Sequence, residues 1–202
     1  LPTETDEDVL GIADLAQKVY HVWRENTPNR SRGVRITVST SCFVPKSHTP
    51  FQWEAQNTQE EYLRKVTLLR EHMRNKSITY NWHDPETSYL EAVLSRGDRR
   101  IADVIEEAWR HGAKFDSWSE YFNLQTWLTA METCGVSPAF YANRVREKDE
   151  ILPWHVISDG VKESYLWRER ETAYAGKITP DCKVKCSGCG ADKLCKGGIC
   201  HG

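Results

Sequence analysis

No run of about eighteen apolar residues occurs in this chain, which argues against a membrane-spanning helix. No basic segment leading into an apolar stretch is present either, so no secretory leader is visible. Formal net charge is only -2, too little bias of either sign to suggest wholesale nucleic-acid binding. The serine-hydrolase elbow, the phosphate-binding glycine loop and the dinucleotide fingerprint are all missing. So are internal repeats and low-complexity tracts. Cysteine is scarce through most of the sequence, where Cys42 and Cys134 stand alone.

What is present is a globular composition, 39% hydrophobic and 28% charged, in 202 residues. That length suffices for one sizeable core, or one core with an appendage. The remaining cysteines crowd into the end of the chain: Cys182, Cys186, Cys189, Cys195 and Cys200, with His201 beside the last. A secreted disulfide scaffold spreads its cysteines through a small domain, whereas this clustering suits a local metal site in a reducing compartment, hence a cytoplasmic protein. The eight tryptophans are packing residues by default.

Hydrophobic spacing organises the chain as follows. Thr5 followed by Asp6, Glu7 and Asp8 marks a helix start, and Val9, Ile12, Ala13, Ala16, Val19, Tyr20 and Trp23 follow helical spacing up to Thr27-Pro28. Residues 34–39 alternate and are β-branched, which predicts a strand. An ordered loop with two prolines runs from Cys42 to Trp53. Thr58 and Glu61 form a capping box ahead of a helical stripe of Tyr62, Leu63, Val66, Leu69 and Met73, and residues 77–82 predict a second strand. Helix, strand, helix, strand implies parallel pairing through a helical crossover. Two strands make no stable sheet alone, so the reading favours a sheet completed by residues ahead of Leu1. Beyond His83 the pattern is helical. Asp84-Pro85 opens one helix, broken at Gly97, and Ile101 to Trp109 forms a second, ended near Gly112. Ser117 with Glu120 opens a third, Ser137-Pro138 a short fourth, and residues 162–175 a last one with Gly176 beyond its end.

Three chemistries fit the terminal cysteines. Four thiolates can hold a structural zinc, they can hold an iron–sulfur cluster, or two can act as a redox pair. Cys182, Cys186 and Cys189 are the firmest ligands, and Gly188 and Gly190 allow a tight turn around a metal. Lys183, Lys185, Lys193 and Lys196 make the tail basic, as an RNA or phosphate contact or simply a solvated face. In the body, Lys46 and His48 are the loop residues able to titrate or carry charge. His83 can pair with Asp84, although Asp84 is better explained as a helix cap. Cys42 reads as a small buried hydrophobe rather than a reactive thiol.

Taken in order, several segments resemble one known family. LPTETDEDV is similar to the turn after the fourth barrel strand of radical S-adenosylmethionine (radical SAM) enzymes. FVPKSHTPFQW resembles the loop after the fifth strand in the cobalamin-binding subset. YNWHDPETSYLEAVLSRGDRR, FDSWSEYF, SPAFYA, LPW and TPDC…CSGCG resemble the C-terminal part of a subfamily of large, mostly uncharacterised bacterial proteins with an N-terminal cobalamin-binding-like domain. The resemblance implies an α/β fold: the C-terminal part of a (β/α) radical SAM partial barrel over 1–84, a mostly helical extension over 85–178, and a Cys-rich metal-binding tail over 179–202. It implies a fragment of a longer enzyme, whose initiating Cys-x-x-x-Cys-x-x-Cys loop and cobalamin-like domain lie upstream of Leu1.

The resemblance further places Pro2, Thr3 and Glu4 beside SAM, with Glu4 able to accept from its ammonium; as a plain residue, Glu4 is a helix-terminal acid. It puts the loop of Lys46 and His48, and the His83 segment, at the carboxyl ends of strands, where barrel enzymes build their sites. His48 and His83 are therefore the catalytic candidates. Cys182-x3-Cys186-x2-Cys189 repeats the spacing of the initiating triad, but it follows every strand and helix, so it reads as a separate site closed by a fourth ligand. Relatives usually place that ligand at the position of Asp192; here Cys195, or alternatively Cys200, must serve. The parent's cofactors would be a 4Fe-4S cluster, SAM and a linked cobalamin, with zinc or an iron–sulfur cluster in the tail. Its partners would be the upstream domains and an RNA or protein substrate, without a membrane. The fragment alone is expected to be inactive. The alternative expectation is a non-catalytic zinc- or cluster-knuckle module that docks RNA or a partner protein.

Overall fold

A computed structural model describes residues 1–191, which divide into two compact units. The first comprises Leu1–Phe43 and Asn57–Leu90, and the second comprises Val44–Gln56 together with the chain from Glu91 onward.

The first unit is built by local signals that agree with one another. Helix α1 (Asp6–Asn26) opens on Thr5, whose hydroxyl accepts the Asp8 amide, while the Asp8 carboxylate accepts the Thr5 amide at 2.8 Å. This reciprocal box fills two of the orphan amides of a helix start. Strand β1 (Ile36–Thr40), helix α2 (Gln59–His72) and strand β2 (Ile78–Trp82) follow. The strands are parallel, with Ile36 opposite Ile78 and Thr40 opposite Trp82, so the expected crossover is present. β1 begins at Ile36 rather than residue 34, because Ile36 is where the ladder starts, its amide donating to the Ser77 carbonyl at 2.8 Å.

Alternation sends Ile36, Val38, Ile78 and Tyr80 towards a core of Val9, Ala13, Ala16, Leu69 and Met73. The opposite face of the strands carries Thr37, Ser39, Thr79 and Asn81, all exposed. Within α1, Ala13 and Ala16 let the backbone approach closely, and the longer Ile12, Leu15, Val19 and Val22 remain outside. One reading is corrected here. At α2, Thr58 does accept the Glu61 amide, but the Glu61 carboxylate turns to Arg64 instead of closing a box. A bidentate guanidinium pair holds that carboxylate more strongly than one amide does.

The second unit contains the last turn of α3 (Pro85–Arg96), then α4 (Ile101–Arg110), α5 (Leu124–Thr133), α6 (Pro138–Ala142) and α7 (Glu163–Tyr174). α4 packs against α5. Helices α4, α5 and α7 all end alike. A glycine with positive φ (Gly112, Gly135, Gly176) lets the next amide reach back to a carbonyl of the last turn, as Val136 does to Met131 at 2.8 Å. The start of α5 corrects the sequence reading. Ser117 and Glu120 lie in a run of turns beyond Phe115, whose φ is +58°. The helix opens instead at Asn123, whose side chain accepts the Thr126 amide. Asn123 immediately precedes the buried face of Leu124, Trp127, Ala130 and Met131, so capping there allows that face to pack.

The loop of residues 44–56 is ordered by this unit. Trp53 is fully buried with Leu152, Trp154 and Leu166. Gln52 Oε1 accepts both the Trp154 indole N–H at 2.8 Å and the His48 amide at 2.9 Å. The Trp53 carbonyl receives the Arg146 amide, and the Gln56 amide donates to the Ala142 carbonyl. Among the described residues, no helix is long and apolar enough to cross a membrane.

Candidate functional site

The cysteine segment is seated on the start of α7. The Lys162 amide donates to the Cys189 carbonyl at 2.8 Å, and Arg168 donates to the Ser187 carbonyl at 2.6 Å. Both glycines of Cys186-Ser187-Gly188-Cys189-Gly190 have the left-handed conformation, with φ of +71° and +98°. At Gly190 a side chain is excluded twice, by backbone conformation and by space: a Cβ would come within 2.9 Å of Lys162 Cγ and 3.1 Å of the Gly160 carbonyl. Cys186 and Cys189 are half-buried on this turn and Cys182 is exposed, all three as free thiols. Among the described residues, no three His, Cys, Asp or Glu side chains gather closely enough to hold a metal. The expected closing ligands, Cys195 and Cys200, lie outside the described residues, as do His201, Lys193 and Lys196. The turn from Cys186 to Gly190 is therefore formed and anchored on α7.

The strand-end residues form a second group, in the first unit. The His83 amide extends the ladder by donating to the Thr40 carbonyl. The ring does not pair with Asp84: Nδ1 lies 3.0 Å from the Ser88 hydroxyl. Asp84 instead accepts the Glu86 amide at 2.9 Å, which is the capping role, because that amide is orphaned in the first turn of α3. Cys42 Sγ faces the His83 carbonyl at 3.7 Å and also meets Ser88. Burial pushes the Cys42 thiol above its ordinary pKa, and the nearby Asp84 charge adds to this, so it stays protonated and unreactive at neutral pH. Ser88 is fully buried and was not singled out from the sequence. The available signal was its place one turn into a helix that opens directly after the strand-end histidine.

His48 belongs to the second unit. Its φ of +56° is strained for a side chain of this size. Nδ1 faces the Asp159 carboxylate at 3.7 Å, and Nε2 is buried without a hydrogen-bond partner. Asp159 is far from His48 in sequence, and nothing local announces the pairing. Lys46 pairs with Glu91. Pro2, Thr3 and Glu4 make the turn ahead of α1, in which the Glu4 amide donates to the Leu1 carbonyl at 3.3 Å. One Glu4 oxygen takes Lys65 at 2.7 Å and the other the Leu1 amino group at 2.9 Å.

No family model and no solved structure matches the chain. A protein of Methanocaldococcus jannaschii described only as uncharacterized is 23% identical over 106 residues, covering 52% of this chain. The aligned part spans 21% of that relative's length.

Proposed function

We propose that this chain is the C-terminal part of a radical SAM enzyme and carries a separate thiolate metal centre in its tail. The observation that carries the reading is the parallel β1–α2–β2 unit, with Cys42, His83 and Ser88 gathered where both strands end. Carboxyl ends of parallel strands are where α/β barrels place their chemistry. The surroundings of the unit agree. One face of the strands packs on helices, and the other exposes Thr37, Ser39, Thr79 and Asn81, a polar surface suited to a barrel interior that holds a polar ligand. Parallel sheets are normally covered on both faces, and two strands are too few to stand alone. The exposed Leu15, Val19 and Val22 give α1 a second apolar flank, as an outer barrel helix between two neighbours requires.

In this reading, reductive SAM cleavage supplies a carbon radical. Pro2 and Thr3 shape the turn beside SAM, and Glu4 accepts from its ammonium while Lys65 holds the carboxylate in place. His83 is fixed by Ser88 at the mouth of β2 and is the catalytic candidate carried by this unit. Cys182, Cys186 and Cys189, with Cys195 or Cys200, hold the tail's zinc or iron–sulfur cluster. The substrate class, the cobalamin link and the upstream domains belong to the parent protein. The test is SAM binding by the full-length parent. The reading expects saturable binding that is lost when the upstream cysteine triad is changed to alanine. Binding that survives that change overturns it. RNA affinity of the present chain that vanishes on neutralising Lys183, Lys185, Lys193 and Lys196 would favour the docking-module alternative.

A further inference from the structure

Arg96 and Arg146, both in the second unit, are the most deeply buried cations described, 0% and 2% exposed. Among the described residues neither has a carboxylate partner. The acids nearest in sequence are engaged elsewhere: Glu91 with Lys46, Asp98 with Arg100, and Glu150 with Arg144 through both oxygens. What the two guanidiniums do have is backbone carbonyls. Arg96 Nε donates to the Tyr141 carbonyl at 3.0 Å, and its Nη1 donates to the Pro45 carbonyl at 3.3 Å. Arg146 Nη2 donates to the Arg96 carbonyl at 3.3 Å and to the same Tyr141 carbonyl at 3.4 Å.

One oxygen therefore receives both arginines, and the like charges are held close together. The Arg96 and Tyr141 carbonyls belong to the last turns of α3 and α6, where the negative end of the helix offsets part of the repulsion, and the Pro45 carbonyl comes from the loop. Trp154 offers its ring face to Arg146 at 5.4 Å. None of this gives an acceptor to Arg96 Nη2, Arg146 Nε or Arg146 Nη1, which are buried with no hydrogen-bond partner among the described residues. Burial also draws the Arg146 pKa below its ordinary value, and the nearby Glu150 charge, already held by Arg144, offsets this only in part. Three unpartnered guanidinium nitrogens, one on Arg96 and two on Arg146, match an oxyanion better than they match water, because an oxyanion supplies both charge and several lone pairs.

We propose that Arg96 and Arg146 form a buried binding site for one small inorganic oxyanion of the phosphate class, which bridges the end of α3, α6 and the start of the 44–56 loop. The site is independent of the radical-enzyme reading and stands or falls separately from it.

The test uses inorganic phosphate as the probe on the full 202-residue chain, at constant ionic strength, with chloride as the reference anion. Equilibrium dialysis is expected to show saturable binding of about one phosphate per chain, and thermal unfolding a saturable rise in midpoint that chloride does not give. Arg146→Met removes one fork and its charge. It is expected to bind no phosphate and, in phosphate-free buffer, to be at least as stable as the parent chain, because the like-charge pair is gone. Arg146→Lys keeps the charge without the fork and is expected to bind at least tenfold more weakly. If the folded parent chain binds no phosphate at millimolar concentration, the proposal fails. It fails equally if Arg146→Met binds as well as the parent chain, or if stabilisation follows ionic strength alone.

Discussion

Single residues decide whether the cysteine turn exists at all. Gly190 combines a φ of +98° with no room for a Cβ, so Gly190→Ala is expected to unseat the turn from α7 at a cost of roughly 1–2 kcal/mol. Faster tryptic cleavage at Lys183 and Lys185 would report it, and an unchanged digestion pattern would count against the seating described. The Thr5 cap makes a simpler test: Thr5→Ala is expected to lower stability by about 1 kcal/mol in urea unfolding. The acids give a signed pH dependence. Arg144 holds the Glu150 carboxyl below its ordinary 4.5, and Arg100 holds Asp98 well below its ordinary 3.8. Depressed carboxylates stabilise the fold above those ordinary values, and the contribution is lost as pH falls through the lowered ones. The urea midpoint should therefore drop from neutral pH to about pH 3, less steeply in Arg144→Met; an equal slope would detach Glu150 from the effect. At this scale the sequence announced the caps and the glycine turn, because both act within a few residues. It could not announce Asp159 beside His48, or Arg146 on the Arg96 carbonyl, since both contacts are made by chain returning from far away.

Elements were legible where period and cap agreed. α1, α2, α7 and both strands follow from spacing, capping and β-branching. The misreadings at α2 and α5 have physical causes: at α2 the Glu61 carboxylate finds in Arg64 a stronger partner than the Thr58 amide. Serine and glutamate at 117 and 120 have the right types for a helix start, but Asn123 adjoins the buried face and wins the cap. In α1 the sequence showed which residues were apolar without showing that two alanines would define the close-packed side. This yields a paired prediction. Leu69→Ala opens the first unit's core and is expected to cost about 2–5 kcal/mol in urea unfolding. Leu15→Ser, on the exposed flank, is expected to stay within about 0.5 kcal/mol in this chain, whereas the proposed barrel expects it to destabilise a longer protein in which a neighbouring helix covers that flank. A neutral Leu15→Ser in both proteins would leave α1 with no neighbour on that side.

For the molecule as a whole, two compact units divide the candidate chemistry. The parallel unit carries Glu4, Cys42, His83 and Ser88, and the second unit carries His48, the buried arginines and the cysteine turn. The first unit has a polar strand face and a second apolar flank, on which the proposed barrel rests, and the second unit holds the ordered cysteine turn proposed to seat a thiolate centre. That seat is the part of the account open to direct chemistry on the chain as it stands. Purified without oxygen, the protein is analysed for zinc, iron and acid-labile sulfide per chain, alongside the Cys186→Ala, Cys189→Ala variant. The account predicts about one centre per chain in the parent, either colourless with zinc or brown with iron and sulfide, and its loss from the variant. Equal metal in the two proteins, or none in either, would contradict it.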